Sequence, residues 1–138
     1  YRLHWNNYVW AGVDIMRFDV ETNIEAVISE LTGSTEQALR AAVDELSNTA
    51  YSVEKTAKEN IKRNRTVDTG RLLGSISTDI KQGGSDVTAE VGTNVEYANY
   101  IEYGTYKMGA KPFLNPAFEE ETEGLENRIR QAIRDAFR

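Results

Sequence analysis

A chain of 138 residues with 40% hydrophobic and 28% charged residues fits one soluble globular domain with a modest core. It has no cysteine, which excludes disulfides and thiolate chemistry, and no run approaches the ~20 apolar residues of a membrane-spanning helix. Its net charge of −6 argues against a protein that grips DNA or RNA, because that grip comes mainly from basic side chains on phosphates.

Residues 1–20, YRLHWNNYVWAGVDIMRFDV, hold both tryptophans and the only histidine, with no clear helical or strand period. No charged segment leads into an apolar run, so no secretory signal is expected here. Residues 1–21 therefore read as an N-terminal arm or extension ahead of a single domain at 22–138. Two explanations stand side by side. Met16 is a native start, with Tyr1–Ile15 upstream or vector-derived and Gly12-Val13-Asp14-Ile15 a translated ribosome-binding site; or the aromatics of the arm lie on a neighbouring subunit.

From Thr22 the pattern turns helical. Thr22 or Asn23 can cap a segment at Ile24–Thr32, whose Ile24, Val27, Ile28 and Leu31 recur at helical spacing, and Gly33 ends it. Ser34 or Thr35 then caps a second helix of roughly 28 residues, about 40 Å long. Leu39, Ala42, Val43, Leu46, Ala50, Val53, Ala57 and Ile61 form one narrow apolar stripe along it, rich enough in alanine for close packing. Lys58, Lys62, Arg63 and Arg65 at its C-terminal end complement the helix dipole.

VDTGRLLGSI, residues 67–76, reads as a single helical turn capped by Asp68 or Thr69, carrying Leu72 and Leu73, and stopped by Gly74. A phosphate loop is disfavoured there: the GxxxxGK[ST] spacing is absent and Asp68 would repel phosphate. Two alternating segments follow, Ile76–Lys81 and Val87–Thr93, joined by Gln82-Gly83-Gly84-Ser85-Asp86. They predict an antiparallel hairpin with one apolar face against the long helix.

Residues 95–116, VEYANYIEYGTYKMGAKPFLNP, crowd four tyrosines into a short run. The spacing predicts a short helix over 96–103 closed by Gly104, then a loop over Thr105–Lys111 with little hydrophobic cause to fold on its own. Asn115 is expected to cap one final helix with Pro116 at its first position. Phe118, Leu125, Ile129, Ile133 and Phe137 would face inward along it. Glu119, Glu120, Glu121 and Glu123 near its start and Arg128, Arg130, Arg134 and Arg138 near its end match the helix dipole, a better explanation than an acidic metal patch. The fold class expected is α+β, with a long helix and a C-terminal helix packed on a small antiparallel β-sheet.

In this order the short motifs are distinctive: Asp68-Thr69-Gly70-Arg71-Leu72-Leu73-Gly74-Ser75-Ile76, Val91-Gly92-Thr93, Tyr97-Ala98, Ile101-Glu102-Tyr103-Gly104-Thr105 and Lys111-Pro112-Phe113-Leu114-Asn115-Pro116-Ala117. Over residues 35–137 the chain resembles the tail-component family of siphophages and prophages named after a lambdoid gene-product-ten. Where that family often has Met-Pro-Ala-Arg-Pro-Phe, this chain has Met108-Gly109-Ala110-Lys111-Pro112-Phe113.

The resemblance implies a structural virion protein for head–tail joining or tail completion. It would work as a homo-oligomeric ring, a hexamer, around a DNA channel. It implies neck and tail-tube neighbours, DNA that passes without specific binding, no cofactor, and a place at the virion neck or tail end after assembly in the bacterial cytoplasm. Acidity suits such a channel, and tyrosines with short apolar loops suit the heterologous contacts of a ring. The interface expected comprises Arg71, Tyr100, Glu102, Tyr103, Gly104, Thr105, Tyr106, Lys107, Met108, Lys111, Pro112 and Phe113, with Arg71 and Glu102 as polar partners within or across subunits. A tail-tube or other minor tail protein is the structural alternative. A single-stranded nucleic-acid module is a second one, with Tyr97, Tyr100 and Tyr103 as stacking platforms beside Lys107 and Lys111. An enzyme is not expected, since a lone His4 and serines without a nearby base form no catalytic set.

Overall fold

The computed structural model describes residues 2–10, 13–23, 35–65, 69–83 and 86–137, with side chains over 36–65, 70–82 and 87–137. Its first two elements are strands β1 (Arg2–Trp10) and β2 (Val13–Asn23). They pair antiparallel from Arg2↔Glu21 to Trp10↔Val13. No strand period was evident in this region, for a reason visible in β2 itself. Met16, Phe18 and Val20 alternate with Arg17, Asp19 and Glu21, but Val13 and Ile15 fall in the opposite phase, so the period is broken between Ile15 and Met16. The helix expected at Ile24–Thr32, the Ser34 cap expected for the long helix, and Asp68 lie outside the described residues.

Helix α1 (Thr35–Asn64) runs for 30 residues. Ala38, Ala42, Leu46, Ala50, Val53, Ala57 and Ile61 are buried, in steps of three and four, while Leu39 and Val43 flank them half-buried. This is the stripe expected from the sequence, extended by Ala38. Arg65 leaves the helix at φ 50, a left-handed stop outside glycine. A short helix α2 (Thr69–Ser75) buries Leu72.

Strands β3 (Ser77–Gly83) and β4 (Asp86–Thr93) form the expected hairpin. Val87, Ala89, Val91 and Thr93 are buried on the α1 side. The sheet is larger than the hairpin. Strand β2 pairs with β4 from Met16↔Thr93 to Asn23↔Asp86, giving four antiparallel strands in the order β1-β2-β4-β3. Helix α3 (Ala98–Tyr103) lies against β2, and α4 (Leu114–Thr122) and α5 (Leu125–Ala136) pack on α1. The α+β class therefore holds.

Two local expectations are corrected. The final helix is broken in two, because Glu123 is extended and Gly124 sits at φ 71, where a glycine is unstrained. The inner-face residues keep their roles across the break: Phe118, Leu125, Ile129 and Ile133 are buried and Phe137 is half-buried against the core. Asn115 is not the cap. Helix α4 starts earlier, with Phe113 at the cap position and no side-chain bond from it, so Asn115 and Pro116 lie inside the first turn. Proline fits there because the first-turn N–H groups have no intrahelical acceptor.

Candidate functional site

The backbone over 95–116 divides into three parts. The first is α3, whose Ala98, Ile101 and Glu102 are buried while Tyr100 and Tyr103, three apart, stand 58% and 50% exposed on the other side. Gly104 N–H closes the helix on Tyr100 O at 2.8 Å.

The second part is a tip. Thr105 N–H donates to Met108 O at 2.8 Å and Met108 N–H donates back to Thr105 O at 3.3 Å, leaving Tyr106 and Lys107 at the end of a tight turn. Thr105 Oγ1 accepts from the N–H groups of Lys107 and Met108, at 3.2 and 3.1 Å. At the base of the turn Gly104 has φ 77, and a Cβ there would lie 2.7 Å from Ala110 N and 3.0 Å from Met108 O. No side chain fits that approach. The loop, with little hydrophobic cause to fold on its own, is thus closed by hydrogen bonds into a turn. It carries Tyr106 at 93% exposure, with the Lys107 ammonium 5.4 Å from the ring centroid.

The third part is a strap, Lys111–Asn115. Lys111 N–H donates to Ile101 O at 2.8 Å. Two α1 side chains hold its carbonyls: Asn64 Nδ2 donates to Pro112 O at 2.9 Å and Asn60 Nδ2 to Phe113 O at 3.0 Å. Glu102, only 2% exposed, turns its carboxylate onto the start of α4. Its Oε2 accepts from the N–H groups of Phe113 and Leu114 at 2.8 and 3.0 Å, and its Oε1 accepts from Asn115 N–H at 2.7 Å. Pro116 has no N–H to satisfy. A helix start ordinarily leaves four donors unbonded; here one side chain takes three and proline removes the fourth. The negative carboxylate also sits at the positive end of the helix dipole.

The far end of α4 is closed in the opposite sense. Arg128, from α5, donates to Glu121 O at 2.8 Å and also to Glu123 O. Its Nε reaches Glu45 Oε1 on α1 at 3.1 Å. One guanidinium thus caps α4 at its negative end and ties the helix break to α1.

The expected interface residues are therefore distributed unevenly. Tyr100, Tyr103, Thr105, Tyr106, Lys107, Lys111 and Pro112 are exposed, and Gly104 and Met108 are partly so. Phe113 is fully buried beneath the strap, and Glu102 is buried as its anchor. Both serve the interior of the subunit. Arg71 sits away from Glu102 and forms a two-bond pair with Glu96, at 3.0 and 2.9 Å, with its guanidinium 5.5 Å from the Tyr97 ring centroid. The Glu96 carboxyl is held below the usual carboxylate range, first by a backbone hydrogen bond at its own residue and then by Arg71.

Sequence reasoning missed Asn60, Asn64 and Arg128 as structural anchors. The buried side of α1 offered one signal, since Asn60 interrupts its apolar stripe one position before Ile61. Among the described residues no group of three or more His, Cys, Asp or Glu side chains could hold a metal ion.

Comparison with known proteins places this architecture. Residues 20–104 match the family described as "Bacteriophage HK97-gp10, putative tail-component". The chain belongs to this family of phage tail components. No curated protein and no solved structure gave a match.

Proposed function

We propose that the protein is a structural subunit of the phage particle at the head–tail joint or tail end, working as a ring of identical copies, six in number, around the path of the DNA. Its contact surface is the exposed side of 98–112: Tyr100, Tyr103, Thr105, Tyr106, Lys107, Lys111 and Pro112. The observation that carries this reading is Tyr106, 93% exposed on a turn closed by its own hydrogen bonds. A large aromatic held rigidly in solvent loses little conformational entropy when a partner covers it, which is the property that enriches tyrosine in interfaces. Tyr100 and Tyr103 widen the same region.

Membership of a tail-component family supports a place in the virion, reached after assembly in the bacterial cytoplasm, with tail-tube and neck proteins as neighbours. DNA is expected to pass without specific binding, given the net charge of −6. The test is the assembly state of a variant with Tyr100→Ser, Tyr103→Ser and Tyr106→Ser, read by light scattering alone and with tail-tube protein. The expected result is loss of assembly with an unchanged urea midpoint. A variant that still assembles like the parent would overturn the reading.

A further inference from the structure

The second half of the proposed contact has to be found on the same molecule if copies meet in a ring. A tip-to-tip contact would be isologous and stop at two copies, whereas a ring needs the tip to meet a different patch. An open cleft of about 270 Å³ lies between α1 and α4, lined by Lys55, Thr56, Glu59, Arg63, Glu120 and Glu121 among others. It shares no residue with the tip.

Three of its side chains are already used. Glu121 Oε1 accepts from Thr56 Oγ1 at 2.8 Å, and Arg63 donates to Asn60 Oδ1 at 3.1 Å. Glu59 and Glu120 are exposed and have no ion-pair partner among the described residues. The tip and its junction with the strap have the converse property, since Lys107 and Lys111 are exposed cations without a carboxylate partner among those residues. Loop 104–112 holds no acidic residue at all. The size also fits, because a cavity of about 150 Å³ already takes a benzene ring.

We infer that the Tyr106–Lys107 tip of one copy seats in the α1–α4 cleft of the next. The Tyr106 ring lies along the cleft with its hydroxyl among the polar side chains that line it, and the Lys107 ammonium meets Glu120 and Glu59. This rests on the self-assembly reading above and names the surface that the tip occupies. Each seated copy still offers a free cleft and each receiving copy a free tip, so the contact propagates until a ring closes. The cost of desolvating the charges is limited, because both remain at the rim of an open cleft.

The absence of cysteine allows a direct test. Chains carrying Gly109→Cys on the tip, Ser52→Cys in the cleft lining, or both, which leave Lys107, Glu59 and Glu120 in place, are treated with a short bismaleimide and resolved under denaturing conditions. The account expects covalent dimers from a mixture of the two single variants and a ladder of multimers from the double variant. Dimers from Gly109→Cys alone would mean tip-to-tip contact and overturn the proposal, as would an intramolecular cross-link in the double variant. Light scattering of the parent chain separates the two levels. An oligomeric parent without the ladder overturns only the tip-in-cleft pairing; a monomeric parent without it overturns both the pairing and the ring.

Discussion

The strap Lys111–Asn115 and the tip Thr105–Ala110 are neighbours in sequence and opposites in construction. Every strap hydrogen bond described above reaches another part of the subunit: Ile101 O, Asn60, Asn64 or the Glu102 carboxylate. The tip's hydrogen bonds stay within residues 105–108. Phe113 beneath the strap is fully buried, whereas Tyr106 on the tip is almost fully exposed. The difference teaches which residues to assign to stability and which to contact, even though all of them looked alike as one aromatic, proline-flanked run. It also shows how a loop rich in exposed side chains stays rigid: the strap fixes both its ends, and the turn needs no core of its own.

The strongest way to break the comparison is at Phe113. Phe113→Ala should lower unfolding free energy by about 3–5 kcal/mol in urea titration, the usual range for emptying a fully buried phenylalanine site. Glu102→Ala comes next, with a loss on the order of 3 kcal/mol, because three N–H groups at the start of α4 lose their acceptor. Glu102→Gln should fall between that variant and the parent, since an amide oxygen can accept but its nitrogen cannot. Equal stability of parent and Glu102→Ala would show that water caps α4 as well as the carboxylate does.

Gly104→Ala sits at the joint between the two regions. A loss of about 2 kcal/mol is expected from positive φ and the approach to Ala110 N. Thermal melting would check it. The smallest effect should be Tyr106→Ser, within ~0.5 kcal/mol of the parent in the same melt, because the ring contributes almost nothing to the subunit interior. That variant should nonetheless weaken assembly, and the dissociation of stability from assembly is what sharpens the comparison.

The parts of the fold written in short-range pattern were legible. The α1 stripe from Leu39 to Ile61 and the alternation of Val87, Ala89 and Val91 each specify a buried face by spacing alone. The sheet's other half was not, because the apolar phase of β2 shifts between Ile15 and Met16 and its pairing to β4 is long-range. Asn115-Pro116 was a true helix-start signal read two residues late: proline tolerates any first-turn position, and the actual cap comes from Glu102, eleven to thirteen residues upstream of the amides it holds. Nothing local marks such a cap. The one hint is that Glu102 shares a helical face with Ala98 and Ile101, where a carboxylate has to find partners when buried. Within the site, the tyrosines were legible as a cluster. The division between self-closed tip and anchored strap depended on Asn60 and Asn64, two amides 53 and 48 residues upstream of the carbonyls they hold.

The division of labour within this one loop can be read amide by amide by hydrogen–deuterium exchange, comparing the isolated chain with the assembled form. Strap amides at Phe113, Leu114 and Asn115 should be slow in both states, while tip amides at Lys107 and Gly109 should be fast in isolation and slow once copies assemble. Tip amides that exchange identically before and after assembly, or strap amides protected only in the assembly, would contradict it.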